Sequence, residues 1–288
     1  LHHAMGDVDG NVGSWGFARG GMGSVAAALS SSFLSFGGTI RKSSEVKKII
    51  VSNQTATGVE LVSGEIINAN AIISNLDAKR TFLKIIDESD LPEDIVKRAK
   101  NFKIRGSSGK VNIALDGMPI FPALPEKSPL TLGHMHFSDT LERLERAYDD
   151  WKDDRWSSDP YVDMVIPTQY DPTMAPPGKH MMSVFVQYCP VSPEGGWDDK
   201  KKKAFGDTVI NQIGDYSPNF KDLILHAEIR TPHEIEKEVG LTEGNIFQGE
   251  LTLDQLMFNR PFPGYAQYRG PLKRMYMCSS SNHPGGGV

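Results

Sequence analysis

The chain has 288 residues, of which 39% are apolar and 23% charged, and its formal net charge at pH 7 is −5. This size and mixture are typical of a globular protein with one large domain or two interleaved ones. The acidic balance argues against a sequence-independent nucleic-acid binder, which would be basic. Cys189 and Cys278 stand far apart and form no C-x-x-C pair, so we expect reduced thiols and a reducing compartment.

The N-terminal part predicts a helix followed by strands. Apolar residues over 22–36 recur at three- and four-residue spacing behind a Gly-Gly-Met-Gly turn, and two glycines follow them. Strands are predicted at 39–42, 46–52, 58–62, 65–68 and 71–74. The third and fourth form a hairpin across Ser63-Gly64, and the last is apolar enough to be buried on both faces.

The remainder predicts alternating helices and strands with proline-rich loops between them. Helices are predicted at 77–87, 92–102, 139–151, 198–215 and 234–239. Strands are predicted at 110–116, 132–137, 161–167, 180–188 and 274–278, and the stretch 258–270 is predicted to be a loop. No apolar stretch approaches the ~18 residues of a membrane span, and no signal-peptide pattern occurs.

Two glycine turns and one histidine pair are candidate sites. The last predicted strand runs into "HPGGGV", a turn that can present backbone N–H groups to a polar cofactor or simply be a frayed terminus. The turn at Gly20 resembles half of a dinucleotide fingerprint, but it lacks the preceding strand, so a helix-packing turn is favoured. His134 and His136 share one face of a strand, yet nothing nominates a third ligand, and no metal is predicted.

Several stretches together resemble one protein family. These are "HHAMGDVDGNVGSWGFARGGMGSVAAAL", "VKKIIVSNQTATGVELVSGEIINANAIISNLDAKRTFL", "KVNIALD", "APPGKHMMSVFVQY", "GNIFQGELTLDQL" and "HPGGGV". They are similar to phytoene-dehydrogenase-like FAD-dependent oxidoreductases, in the branch of pyridine nucleotide-disulfide oxidoreductase domain-containing proteins. The resemblance covers nearly the whole chain.

The resemblance implies an α/β fold of mixed α+β type. It implies a partial, discontinuous FAD-binding domain of the glutathione-reductase-like type and a mixed-sheet substrate domain with helices. The implied ranges are 1–19 for a connecting segment, 20–75 and 268–288 for the FAD-binding domain, and 76–267 for the substrate domain.

The resemblance also implies that the chain is a fragment. In the family, a Gly-x-Gly-x-x-Gly turn near the N-terminus holds the FAD pyrophosphate, and a helix after the terminal glycines faces the flavin. Neither occurs in this sequence. We therefore expect a fragment without the N-terminal Rossmann region and the last C-terminal helix, which alone binds FAD poorly and is inactive.

Eight residues match cofactor-binding positions of the family, and no catalytic residue is nominated by the match. Val46 aligns with the residue whose backbone meets the adenine. The others are Ser74 and Asn75 at a strand end, Cys278 at the end of the last predicted strand, and Gly285, Gly286, Gly287 and Val288 in the flavin-contacting turn. The family usually has glycine at the positions of Ser279 and Ser281, so backbone strain is expected there if those positions need a positive φ.

The implied activity is hydride transfer from an apolar small-molecule substrate to FAD. A second, unidentified acceptor would reoxidise the flavin. Four polar residues are candidates for the substrate cavity, with a structural role favoured for each, namely Gln187, Tyr188, His134 and His136.

Alternatives to this activity are a flavin amine oxidase, favoured by an aromatic pair facing the flavin, and a non-catalytic docking module. No nucleic-acid partner is expected, peripheral membrane contact is allowed, and the oligomeric state is open. The expected compartment is the cytoplasm, or the mitochondrial matrix in a eukaryote.

Overall fold

Two hydrophobic cores organise the chain in a computed structural model, which describes residues 7–13, 16–125, 128–137 and 140–286. The strands are β1 (Asp7–Val8), β2 (Asn11–Val12), β3 (Val46–Ser52), β4 (Thr55–Leu61), β5 (Ile66–Asn68), β6 (Ile72–Ser74), β7 (Ser108–Leu115), β8 (Met135–His136), β9 (Tyr161–Val165), β10 (His180–Gln187), β11 (Ile224–Arg230) and β12 (Met275–Met277). The helices are α1 (Met22–Ser35), α2 (Ala78–Leu83), α3 (Glu93–Asn101), α4 (Leu141–Lys152), α5 (Asp199–Tyr216) and α6 (Pro232–Val239).

The first core lies between small sheets and two helices. β3, β4 and β5 form an antiparallel sheet, which confirms the predicted hairpin, and β6 pairs in parallel with β12 from the far end of the chain. Ile49, Ile72 and Met275 pack here against Phe82 of α2 and Ile95 of α3. The first core thus joins residues 46–104 to the C-terminal strand.

The second core lies under one face of an antiparallel sheet with the order β11-β7-β10-β9-β8. Val111 and Val184 are fully buried on that face, against Phe205 and Val209 of α5. Because side chains alternate along a strand, the intervening residues of β7, β9 and β10 point to the opposite face, which the helix does not cover. The alternation predicted from "KVNIALD" is confirmed.

Capping residues set where the helices begin. The Asp77 carboxylate accepts the backbone N–H of Arg80 at the start of α2, over 2.9 Å. Thr231 and Glu234 form a capping box at the start of α6, and Gly240 ends that helix in the left-handed conformation.

The helix predicted over 22–36 is confirmed as α1, but none of its side chains is buried. Met22, Leu29 and Phe33 are all more than half exposed. The turn that precedes α1 contacts the segment after β9, where the N–H of Gly20 donates to the Asp171 carboxylate over 2.6 Å. Within the described ranges, no helix combines the length and apolarity needed to cross a membrane.

Two secondary-structure predictions were wrong, and one strand was missed. Residues 39–42 form no strand, because no described strand pairs with them. The short strand β6 is buried on one face only, and Ile73 is 66% exposed. Strand β11 was not predicted; it pairs with β7, which lies far away in sequence.

The predicted mixed α and β fold class is confirmed. The domain ranges 1–19, 20–75, 76–267 and 268–288 stay a prediction. The first core also contains Phe82, Ile95 and Phe262, which fall in the range predicted for the substrate domain.

Candidate functional site

The carboxyl ends of the parallel strands β6 and β12 lie side by side. Ser74 ends β6, and its carbonyl accepts the backbone N–H of Cys278 over 2.9 Å. The Ser74 hydroxyl is buried and lies 2.9 Å from the hydroxyl of Thr81. The carboxyl edge of parallel strands is where α/β sheets bind ligands, and the fold therefore brings Ser74, Asn75 and Cys278 to a suitable edge.

A cavity of about 850 Å³ opens at this edge and is here named the strand-end cavity. Val46, Ser74 and Asn75 all line it. Its wall carries two carboxylates and four cationic side chains, namely Glu45, Glu236, Lys47, Lys79, Arg80 and Lys84. Lys47 is paired with Glu60 and Arg80 with Glu236, whereas no ion pair engages Lys79 or Lys84 among the described residues. The volume falls in the range of ligand pockets, and the cations favour an anionic group such as a phosphate.

The C-terminal turn follows Cys278 and is anchored by Ser281. The Ser281 hydroxyl accepts the N–H of Ala78 over 3.1 Å and donates to the carbonyl of Gln248 over 2.5 Å. Neither Ser279 nor Ser281 has a positive φ, so the expected strain at these serines is absent. Ser281 instead links the turn to the start of α2.

Gly285 has a φ of 119°, a conformation that favours glycine. Gly285 and Gly286 are half-buried at the end of this turn, and they do not line the strand-end cavity. Gly287 and Val288 lie outside the described residues. The structure therefore joins Cys278 to Ser74 directly, and the glycines only through the turn.

Two buried polar atoms of the turn have no hydrogen-bond partner among the described residues. They are Asn282 Oδ1 and His283 Nδ1. The imidazole of His283 stacks on Phe258 with ring centroids 4.7 Å apart. Unpaired buried acceptors are costly, and they cluster at sites with a functional reason for them.

A second cavity of about 1100 Å³ lies on the uncovered face of the large sheet and is here named the sheet-face cavity. Aromatic rings make up much of its wall, namely Phe17, Tyr161, Tyr170, Phe185 and Phe247. Phe17 and Tyr170 stack with their centroids 4.3 Å apart. His134, His136 and Asp163 supply the polar part of the lining.

Two polar pairs lie on this face. His134 Nδ1 lies 3.0 Å from Asp163 Oδ1, and the hydrogen bond raises the pKa of His134. Lys110 Nζ donates to Ser183 Oγ over 2.5 Å. Burial lowers the pKa of Lys110, against the opposing effect of the nearby Asp163 charge. The face therefore offers an amine with a lowered pKa beside a carboxylate–imidazole pair.

The predicted polar candidates separate into two groups. His134 and His136 line the sheet-face cavity, whereas Gln187 and Tyr188 do not. The Tyr188 ring packs on Tyr148, with centroids 5.3 Å apart. Sequence reasoning missed Lys110, Asp163 and Ser183. The alternation along β7 could have placed Lys110 on the uncovered face, but its neighbours depend on strand register. In the described part of the chain, no cluster of His, Cys, Asp and Glu could hold a metal ion.

A family model described as flavin containing amine oxidoreductase matches residues 2–216. The chain belongs to this family. The chain is 37% identical over 298 residues to pyridine nucleotide-disulfide oxidoreductase domain-containing protein 2 of Rattus norvegicus. The match covers 100% of the chain and 51% of the relative. Prolycopene isomerase 2 of an Oncidium hybrid cultivar is 25% identical over 289 residues, covering 97% and 45%.

Among solved structures, an oxidoreductase from Methanosarcina mazei matches the chain with a TM-score of 0.58 at 18% identity. The match covers 92% of the chain and 50% of that structure. This likeness supports the fold. The chain spans about half the length of the curated relatives it matches. The resemblance to phytoene-dehydrogenase-like oxidoreductases is confirmed.

Proposed function

We propose that this chain forms the flavin-facing and substrate-facing part of an FAD-dependent oxidoreductase. The observation that carries the proposal is the pairing of β6 with β12, which places Ser74 beside Cys278 at one carboxyl edge. Membership of a flavin-containing family gives that edge its expected ligand. Ser74, Asn75, Cys278 and the turn to Gly286 are the residues that would face the flavin.

Several features of this edge fit a flavin. The C-terminal turn ends in Gly285 and Gly286, where no large side chain stands between a planar ring and the backbone. Cations of the strand-end cavity, among them Lys79 and Lys84, would attract a phosphate. The unpaired buried atoms of Asn282 and His283 indicate that the turn is not saturated by its own contacts.

The sheet-face cavity is the proposed substrate site. When bound, the flavin supplies a two-electron acceptor for a hydride. Oxidation of a C–H bond next to a second C–H or N–H bond also releases a proton. Lys110 lies on the same face of the sheet, outside the lining of the cavity, and burial lowers its pKa. Its Nζ, once deprotonated, is the proposed acceptor, and Asp163 would stabilise the ammonium that results. The aromatic wall would orient the substrate and exclude water.

An apolar substrate is favoured. Phe17, Phe185 and Phe247 offer apolar surface for such a molecule. The name of the Oncidium relative refers to prolycopene, which supports a hydrocarbon substrate for this chain as well.

Amine oxidation is the second candidate. The stacked pair of Phe17 and Tyr170 lines the sheet-face cavity, and Asp163 lies in the same wall. An aromatic pair with a carboxylate suits a substrate ammonium group. Titration of the cavity with a monoamine and with an uncharged terpene of similar size would separate the two candidates.

Amide NMR with flavin mononucleotide tests the proposal, since chemical shifts detect even weak binding. We expect the largest shifts at residues 74–75 and 278–286, followed by Lys110 and Asp163. Ribose 5-phosphate is the matched control, because it carries the phosphate without the ring, and it should leave residues 278–286 unchanged. Shifts confined to other surfaces, or none with flavin, would reject the proposal. The purified chain is expected to retain no stoichiometric FAD.

The other predictions about partners stay predictions. These are an unidentified electron acceptor, no nucleic acid, peripheral membrane contact, and a cytoplasmic or mitochondrial-matrix location.

A further inference from the structure

Arg260 is fully buried among backbone carbonyl groups. Its guanidinium donates to the carbonyls of Ser280 and Phe247, each over 2.6 Å. It also donates to Gln255, Gly249 and Glu250, over 3.1, 3.2 and 3.3 Å respectively. Among the described residues, no carboxylate lies within ion-pair distance of it, and burial lowers its pKa to about 10. It remains a cation near neutral pH, and the carbonyl groups replace its lost hydration.

The carbonyls held by Arg260 belong to two different parts of the candidate site. Ser280 lies in the C-terminal turn, whereas the others lie in the loop 247–255. Phe247 of that loop also lines the sheet-face cavity. A single side chain therefore contacts the turn proposed to face the flavin and a wall of the cavity proposed to hold the substrate.

Further bonds join the same two segments. The N–H of His283 donates to the carbonyl of Arg260 over 3.1 Å. The Ser281 hydroxyl donates to Gln248 over 2.5 Å and accepts from Ala78 over 3.1 Å. Gly249 allows the close approach, because a Cβ there would lie 3.0 Å from an Arg260 nitrogen.

We propose that Arg260, assisted by Ser281, is a positioning residue that fixes the C-terminal turn relative to the Phe247 wall of the sheet-face cavity. The part of this inference that concerns flavin rests on the proposed function; the coupling between the two segments does not. A planar guanidinium with five donors suits this role, and the single ammonium of lysine does not reproduce it. Loosening either segment should therefore loosen the other.

Hydrogen exchange of Arg260→Lys tests the coupling in the whole chain without any ligand. We expect amide exchange to rise about tenfold or more in peptides covering both 247–255 and 278–286, with β7 and β10 unchanged. Arg98→Lys is the matched control, because Arg98 is an exposed arginine that donates to one carbonyl, that of Pro263. A rise in only one segment, or no rise, would overturn the coupling.

Ser281→Ala guards against a global effect of the lysine substitution. This substitution removes one oxygen atom and the two hydrogen bonds that it makes. Amide exchange should rise in the same two segments, by a smaller factor than in Arg260→Lys. If Arg260→Lys raises exchange throughout the chain and Ser281→Ala raises it in neither segment, the proposal is wrong.

Flavin mononucleotide then gives the readout that a merely structural role would not change. In Arg260→Lys we expect the flavin-induced shifts at Gly285 and Gly286 to fall while those at Ser74 persist. Unchanged shifts at both glycines would contradict the positioning role. If the wild type shows no flavin shifts, the proposed function fails, whereas the exchange result still decides the coupling.

Discussion

Lys110 Nζ donates to Ser183 Oγ over 2.5 Å on the uncovered face of the large sheet. Both residues come from central strands whose other faces build the second core. The lysine is thus held against a rigid sheet, on the same face as the sheet-face cavity but outside its lining, and burial lowers its pKa. A chain gains little stability from such a group, which is why its role as a proton acceptor is offered as a proposal.

The first prediction concerns the pH dependence that Lys110 gives to stability. Below the lowered pKa of the folded state, Lys110 is charged in both the folded and the unfolded chain. Burying its ammonium then destabilises the folded chain. That cost disappears as pH rises through the window between the folded pKa and the unfolded value of ~10.4. In urea unfolding, the free energy of unfolding of the wild type should therefore rise relative to that of Lys110→Met between neutral pH and ~10.4.

Lys97→Met, at an exposed lysine of α3, is the control for this series. The same substitution there removes an ammonium that lies in water, so it reports the effect of methionine itself. A difference between the wild type and Lys110→Met that does not change with pH would mean that the Lys110 ammonium is well solvated in the fold.

The second prediction concerns His134 and Asp163. The hydrogen bond raises the pKa of His134, so its stabilisation is fully present below the unfolded value of ~6.5 and is lost as pH rises through the folded pKa. Lys110 acts in the opposite direction. In Asp163→Asn, NMR titration of His134 should give a lower pKa than in the wild type.

The loss of stability in Asp163→Asn at pH 6 should be small, about 0.5 kcal/mol, because the pair is partly exposed. Asp207→Asn, at an exposed aspartate of α5, should leave the His134 titration unchanged. A wild-type titration of His134 that Asp163→Asn does not alter would refute the pairing.

The third prediction concerns Gly249. An alanine Cβ there would lie 2.6 Å from the Phe102 ring, at a φ of 150°. We expect Gly249→Ala to lower the free energy of unfolding by more than about 2 kcal/mol. Gly178 has a φ of 77° with nothing within 4 Å of a Cβ, so Gly178→Ala separates strain from clash and should cost about 1 kcal/mol. Equal losses in calorimetry would mean that the loop relaxes without cost.

Local pattern predicted much of this fold. Apolar spacing identified α1 and α5, and alternation identified β7. The failures involve partners that are distant in sequence: residues 39–42 have no described strand beside them, and β11 is defined by its pairing with β7.

The candidate site was predicted in part for the same reason. Val46, Ser74 and Asn75 line one cavity, as the family match suggested, although their cofactor role stays a prediction. Arg260 was placed in a predicted loop, and nothing in its neighbourhood signals that it binds carbonyls of two separate segments. Sequence patterns report periodicity, whereas the contacts of a buried side chain depend on how loops return to the core.

The fourth prediction concerns the accessibility of the two thiols. Cys278 is exposed, whereas Cys189 is fully buried and burial raises its pKa, which suppresses the reactive thiolate. Titration with DTNB should therefore count one thiol in the native chain and two after unfolding. Two fast thiols in the native chain would contradict the burial of Cys189.

Protection of Cys278 by flavin tests the central claim most directly, since this thiol follows β12 beside Ser74. The rate of its reaction with DTNB is measured with and without flavin mononucleotide, and with ribose 5-phosphate as the control ligand. If the β6–β12 edge faces the flavin, the mononucleotide slows the reaction several-fold and the sugar phosphate does not. An unchanged rate at flavin concentrations that saturate the amide shifts would place the ring elsewhere.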